Sequence, residues 1–343
     1  MKKKIVSSLL IALGVFSLLQ PTVHAAEYKS EYRLSTVLGP AFTWGKAGER
    51  WAELVKQKTA GRINVKLYPG TSLVGGDQTR EFSAIRQGVI DLAIGSSINW
   101  SPQVKQLNLF SLPFLTPDAK ALDAMIKGDV GKDLFAILDK QGVVPLAYGE
   151  NGFRELSNSK HPIKEPADLK GMKIRVVGSP IFIDSFIALG ANPTQMSWAD
   201  AQPALATKAV DGQENPLSVF NIAKLHTLGQ SYLTLWGYMA DPLIFVVSKK
   251  IWASWSEGDR KAVREAAEQA AAENLVAARK GITIGDNALL QSIEKNGVTI
   301  TRLNAEQRKA FKEATRPVYD KWADVVGKDL VKKAEAAVAA SAK

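Results

Sequence analysis

The chain has 343 residues, 46% hydrophobic and 23% charged, with 44 Lys+Arg against 34 Asp+Glu and a formal net charge of +10. That composition excludes wholesale disorder, collagen and coiled coil, and the length exceeds the roughly 250–300 residues that one hydrophobic core sustains, so two domains or lobes are expected. Cysteine is absent, which removes disulfides, thiolate nucleophiles and Cys-based zinc or iron–sulfur sites.

The first segment is an address. Lys2, Lys3 and Lys4 precede an apolar run from Ile5 to Leu19, then Pro21 and the small-residue end Val23-His24-Ala25-Ala26. This predicts a secretory signal cleaved after Ala25, so that residues 1–25 are absent from the mature protein. An anchor is disfavoured because the apolar run is shorter than the ~20 residues a spanning helix needs. Removing that segment leaves 41 basic against 34 acidic residues, a net of +7. The positive charge is scattered among acids, which argues against nucleic acid as a partner and leaves a small anionic solute. A cysteine-free exported chain fits an oxidising periplasm.

From Tyr32 onward, β-rich runs alternate with amphipathic helices. Tyr32–Val37 and Ile63–Leu67 alternate like strands, and Trp44, Trp51, Leu54 and Val55 recur at helical spacing between them. A helix over Asp77–Gln87 leads into a strand over Val89–Ile94. Val130–Leu138 reads as a helix and Val143–Tyr148 as a strand. Next come a one-turn helix at Pro166–Gly171, a strand at Met172–Val177 and a helix at Pro180–Leu189. Trp198–Thr207 is a further helix, followed by a short strand at Ala209–Val210 and a polar loop to Pro216. Tyr232–Trp236 and Leu243–Ser248 are two β-rich runs bracketing Asp241-Pro242. Ser256 with Asp259, and Asn304 with Gln307, resemble capping boxes opening helices. The end, Ala334–Lys343, reads as a frayed helix or tail. The rhythm predicts α/β architecture with a largely parallel sheet.

Several chemistries are missing. No Gly-x-Gly-x-x-Gly follows a strand, so no dinucleotide fingerprint is present. His161 and His226 are the two histidines left after processing, without a His-Glu-x-x-His helix, so no metal is expected. No Gly-x-Ser-x-Gly elbow exposes a nucleophile. Paired carboxylates can meet from anywhere in a fold, but nothing advertises catalysis. We therefore expect no enzyme and no cofactor.

The densest constellation runs from Asn151 to Pro216. Alternation in Lys173-Ile174-Arg175-Val176-Val177 sets Arg175 on the face opposite Ile174 and Val176. An arginine on an interior strand is costly unless it meets an anion or lies at the strand's open end. Arg154 follows the turn-like Asn151-Gly152, and ligands in open α/β sheets collect beyond the strands' carboxyl ends. Two guanidiniums and a carboxamide make a good carboxylate clamp. By pattern alone Trp44 and Trp198 read as packing residues.

The run Glu165-Pro166-Ala167-Asp168-Leu169-Lys170-Gly171-Met172-Lys173-Ile174-Arg175-Val176 resembles the signature of solute-binding proteins of TRAP transporters, of the dicarboxylate-binding DctP type. Leu189-Gly190-Ala191-Asn192-Pro193, Ala204-Leu205-Ala206-Thr207 and Val210-Asp211-Gly212-Gln213-Glu214-Asn215-Pro216 carry the same resemblance, in the same order. It implies a two-lobed periplasmic-binding-protein-like α/β fold with a hinge and a ligand cleft between the lobes. Lobe I would comprise 26–150 and 241–280, and lobe II 151–240 and 281–343. The implied function is capture of an organic acid anion, a sugar acid such as a uronate or a C4-dicarboxylate. Delivery would be to the small and large membrane subunits of a sodium-driven permease, by a monomer. A receptor that presents its liganded form to a sensor kinase and a secreted carboxylate-handling enzyme are the alternatives.

By the same resemblance, Arg175 pairs with the ligand carboxylate, Arg154 is the second arginine and Asn215 the loop carboxamide. Trp198 packs on the ligand, Gln78 and Ser96 supply polar contacts from the first lobe, and Trp44 lines the mouth. Sialic-acid-binding relatives carry an acidic residue near Ser96 and an Asn at Gly178, so a nine-carbon sialate is disfavoured.

Overall fold

The computed structural model describes residues 28–283 and 285–342; the segment 1–25, expected to be a secretory signal, lies outside them. Among the described residues nine strands form one sheet: β1 (Tyr32–Ser35), β2 (Val65–Tyr68), β3 (Leu92–Ser96), β4 (Val143–Asn158), β5 (Lys173–Val176), β6 (Asn192–Gln195), β7 (Gly212–Pro216), β8 (Tyr232–Ser248) and β9 (Thr299–Arg302). Their order is β2-β1-β3-β8-β4-β7-β5-β6, with β9 alongside β8. The β2-β1-β3 half and the β5-β6 and β5-β7 pairs are parallel, as helical crossovers require. The centre is not. Strands β4 and β8 run antiparallel to each other, β3 pairs antiparallel with β8, and β7 with β4. The sheet is therefore mixed rather than largely parallel.

The two central strands are much longer than their sequence pattern predicts. Val143 pairs with Ser248 at one end and Asn158 with Tyr232 at the other, so both strands serve both halves. At about 3.3 Å per residue such a strand reaches roughly 50 Å. Asp241-Pro242 does not break β8, because Pro242 sits opposite Glu150 where the register shifts between Glu150 and Gly152. An irregularity tolerates a residue without an N–H. Further shifts lie between Pro145 and Ala147 and between Arg154 and Leu156.

Helix Thr43–Lys58 buries Trp44, Trp51, Leu54 and Val55, the spacing seen in the sequence. It packs against the long helix Glu257–Arg279, whose Ala266, Ala267, Ala270 and Ala271 are buried and let the backbones approach. Of the two predicted capping boxes, Asn304 and Gln307 close one. Ser256 caps its helix by accepting from Asp259 N but gives its own N–H to Tyr28 Oη, so the second box stays open. The chain end is no frayed tail. Helix Lys328–Ser341 buries Leu330, Val331 and Ala334 at helical spacing and packs on helix Ala119–Lys127, with Lys333 Nζ 2.6 Å from Asp133. Among the described residues, no helix is long and apolar enough to cross a membrane.

Candidate functional site

Strand β5 places Arg175. Its neighbours Ile174 and Val176 are buried in the large core cluster, which anchors the strand. Arg175 itself is only 1% exposed. Its Nε and Nη2 both donate to the Met196 carbonyl, at 3.1 and 2.9 Å, and its guanidinium carbon lies 5.9 Å from the Trp198 ring. Among the described residues no carboxylate forms an ion pair with it, and burial pushes its pKa down to about 10. It is still a cation at neutral pH. With Nε and one edge of Nη2 on a carbonyl, the Nη1–Nη2 edge keeps paired donors of the kind that match a carboxylate.

Arg154, on β4, is bound up differently. Its Nε and Nη2 clasp the Glu214 carboxylate, with Nη2–Oε1 at 3.0 Å, and Nη1 reaches Asp241 Oδ2 at 3.0 Å. Nη2 also donates to the Glu214 carbonyl at 2.8 Å and to Asn215 Oδ1 at 3.2 Å. Burial alone would lower its pKa, but Glu214 and Asp241 more than offset this and hold it above the usual value. Asp241 in turn accepts from Ser96 Oγ at 2.5 Å and Asn151 Nδ2 at 2.8 Å. The network thus joins the end of β3 to β8, β4 and β7, across both halves.

The remaining candidates fall around these two. Asn215 donates from Nδ2 to Gln213 Oε1. Gln78 spans the gap between halves: Nε2 donates to Asn99 Oδ1 at 2.7 Å and Oε1 accepts from Trp198 N at 3.0 Å. Trp198 opens the helix Trp198–Ala206 behind the Ser197 cap, is half-buried, and packs on core clusters of both halves. Trp44 is buried in the first-half core and donates from Nε1 to the Ile94 carbonyl at 2.7 Å, two residues before Ser96. So the structure sets Arg175 beside Trp198 and Gln78, and Arg154 beside Asn215 and, through Asp241, Ser96. Trp44 stands behind β3.

This sheet, with two flanks bridged by shared central strands, has clear counterparts. The sequence model described as bacterial extracellular solute-binding protein, family 7 (DctP), matches residues 34–324. The chain belongs to that family. A TRAP periplasmic solute-binding protein of Ralstonia eutropha, solved with bound (S)-2-acetolactate, is 66% identical with a TM-score of 0.90, covering 91% of this chain and 99% of the other. The sugar acid binding protein of Advenella mimigardefordensis, solved with galactonate, is 29% identical with a TM-score of 0.84, covering 91% and 98%. The C4-dicarboxylate-binding periplasmic protein of Rhodobacter capsulatus is 31% identical over 338 residues, 97% of this chain and 96% of its relative. Family 7 proteins are two-lobed periplasmic receptors of TRAP transporters for organic acid anions, and this chain is one of them.

In this family 7 chain the sequence pattern did not reveal the acids that hold Arg154. The stretch from Val210 to Pro216, read as a polar loop ending a short strand at Ala209–Val210, contains strand β7 (Gly212–Pro216), and all five residues of that strand are buried. The signal was available: an acid buried in a strand demands a cation, and Glu214 has one. Asp241 was hidden by the Asp-Pro step, which reads as a break. The Met196 carbonyl leaves no trace in sequence, because every residue has a carbonyl.

Proposed function

We propose that this receptor takes a small 2-hydroxy or 2-keto monocarboxylate of the acetolactate class as its cargo. The observation that carries the reading is Arg175, a buried guanidinium that, among the described residues, forms no ion pair and feels Glu214 only at longer range. Desolvating an ion without a counter-ion is costly, so a site that keeps one is built for an anion that arrives later. The ligand carboxylate would take the Nη1–Nη2 edge while Met196 fixes the fork. Lobe rotation then excludes water and strengthens the pair.

The polar inventory favours a compact acid. Ser96 and both ends of Gln78 and of Asn215 are already engaged within the protein. Asn151 Oδ1 is buried without a partner and offers one acceptor to a hydroxyl. A polyhydroxylated chain needs more free groups than this, and a second carboxylate would find the other guanidinium shared between Glu214 and Asp241. The relative at 66% identity, with its bound (S)-2-acetolactate, supports the same size and chemistry.

The rest of the reading follows the family. A cleaved signal at 1–25 sends the chain to the periplasm, and the loaded receptor docks on the small and large membrane subunits of a TRAP permease. Lobe I (26–150, 241–280) and lobe II (151–240, 281–343) meet at the crossing of β4 and β8. A thermal-shift panel of (S)-2-acetolactate, other 2-hydroxy and 2-keto acids, galactonate and succinate tests the cargo. An acid at 100 times its Kd adds about 2.7 kcal/mol of stability. The acetolactate class is expected to raise Tm most, with no response in Arg175→Ala. A larger shift with galactonate or succinate overturns the assignment.

A further inference from the structure

We infer that Gly178 and Thr79, beside the Ser101–Ser179 hydroxyl contact at 2.8 Å, form a steric stop between the two lobes, so that this pair limits how far the cleft can close. The inference rests on the receptor reading above but on different atoms. Gly178 lies two residues beyond β5, and Thr79 lies in the short helical turn Gln78–Arg80 of the opposite half. A Cβ built on Gly178 would sit 2.2 Å from Thr79 Cγ2, far inside contact distance. The backbone of Gly178 does not have a positive φ. Space, rather than conformation, demands glycine here.

Thr79 cannot easily yield. Its Oγ1 donates to Asp77 Oδ1 at 2.7 Å, its N–H to the same oxygen at 3.0 Å, and its carbonyl accepts from Gln103 Nε2 at 2.9 Å. Rotating Cγ2 away would break the hydroxyl bond. The one other close neighbour, Gln195 Nε2 at 3.2 Å, is the far end of a flexible side chain. Beside the contact, a cavity of about 300 Å³ runs between Asp77–Thr79 and Gln195–Asp200 and marks the rim of the cleft. Gly178 and Thr79 are therefore positioning residues: they admit the approach that brings Gln78 onto the Trp198 N–H and shuts water away from Arg175.

Thr79→Ser keeps the hydroxyl and removes the clashing methyl, leaving Thr79 Cβ as the next contact at an ordinary 3.7 Å. Titration with (S)-2-acetolactate should show Gly178→Ala weakening binding by about 5- to 150-fold, the effect of overpacking a close contact. The double variant Gly178→Ala with Thr79→Ser should recover wild-type affinity, and unliganded melting should be unchanged throughout. A double variant no tighter than Gly178→Ala overturns the pairing.

A second measurement needs no ligand. The chain has no cysteine, and the 3.7 Å separation suits a disulfide, whose Cβ atoms lie about 3.5–4.5 Å apart. Thr79→Cys with Gly178→Cys should cross-link on oxidation, faster with acetolactate present. Failure to cross-link under both conditions sinks the contact. A wild-type chain that ignores every acid while the double cysteine variant cross-links removes the proposed cargo and leaves the contact standing.

Discussion

Two arginines, 21 residues apart in sequence and both buried, do opposite work in this molecule. Arg154 sits where β4 crosses from one half of the sheet to the other, and Glu214, Asp241 and Asn215 hold it from several sides. Arg175 sits at the end of β5 and holds only a backbone carbonyl. Burial does not distinguish them. The state of their partners does: Arg154 is ion-paired within the protein, and Arg175, without an ion pair, is the guanidinium we propose for the arriving anion. The sharpest way to break this contrast is Arg154→Ala, which leaves Glu214 and Asp241 as buried acids without their ion-pair partner. Removing one partner of a buried pair costs about 3–5 kcal/mol. Urea unfolding should show that loss of stability, and a variant as stable as wild type would place Arg154 among the ligand contacts instead.

Arg175→Ala should do the reverse. Binding should weaken by about 2–5 kcal/mol, the penalty for breaking a desolvated charge pair, while the unliganded protein keeps its stability because no protein ion pair is lost. Arg175→Lys should fail too, since a point charge cannot reproduce a planar fork already held on one edge by Met196. Calorimetry with the best acid of the panel, alongside melting of the unliganded chain, separates the two arginines. Loss of stability without loss of affinity in Arg175→Ala would erase the contrast.

The same reasoning shows what could be read before the structure. Alternation was enough to give Arg175 a face of its own, and the caps at Ser256 and Asn304 were legible because their chemistry is local. The centre of the sheet was not. Glu150, Gly152, Asp241 and Pro242 look like turn material, yet register shifts absorb them and the strands run on. Long-range pairing of β4 with β8 decides this, and no window of neighbouring residues contains it. The partners of Arg154 are 60 and 87 residues away. Length already suggested two lobes and the residue pattern a clamp of two arginines; the resemblance strengthened both, but neither separates Arg154, held by acids, from Arg175, held by a carbonyl.

Acids test the partner rule from the other side. Glu155 adjoins Arg154 on β4 and is buried, but it accepts only from the Trp236 and Gly237 N–H groups, at 2.8 and 3.3 Å, and burial raises its pKa to about 7. Glu81, buried beneath Ser35 and Trp100, is also raised to about 7. A carboxyl that binds its proton more tightly folded than unfolded stabilises the fold fully below its unfolded pKa, 4.5 here. That contribution is lost as pH rises through 7. Each group can therefore contribute a fall of up to about 3 kcal/mol between pH 4.5 and 7.5. Glu155→Gln should flatten the decline of stability with pH, whereas Glu214→Gln, which strips Arg154 of one of its two carboxylates, should lower stability at pH 7. Identical pH profiles for both variants would contradict the distinction.

The smallest effect probes the border between the two arginines' territories. Ser96 was assigned to the ligand by family resemblance, but in this molecule its hydroxyl donates to Asp241 and accepts from Ile98 N at 3.1 Å, capping the short helix Ser97–Trp100. It belongs on these contacts with the Arg154 network. Ser96→Ala removes one of the donors to Asp241 and one cap, so a loss of about 1–2 kcal/mol of stability is expected. Affinity for the preferred acid should change by less than about threefold if the ligand's carboxylate answers to Arg175 as proposed. If instead stability holds and affinity drops by about tenfold or more, Ser96 faces the cargo directly. The hydroxyl would then have to exchange Asp241 for the ligand on closure, and the territories of Arg154 and Arg175 would share a residue.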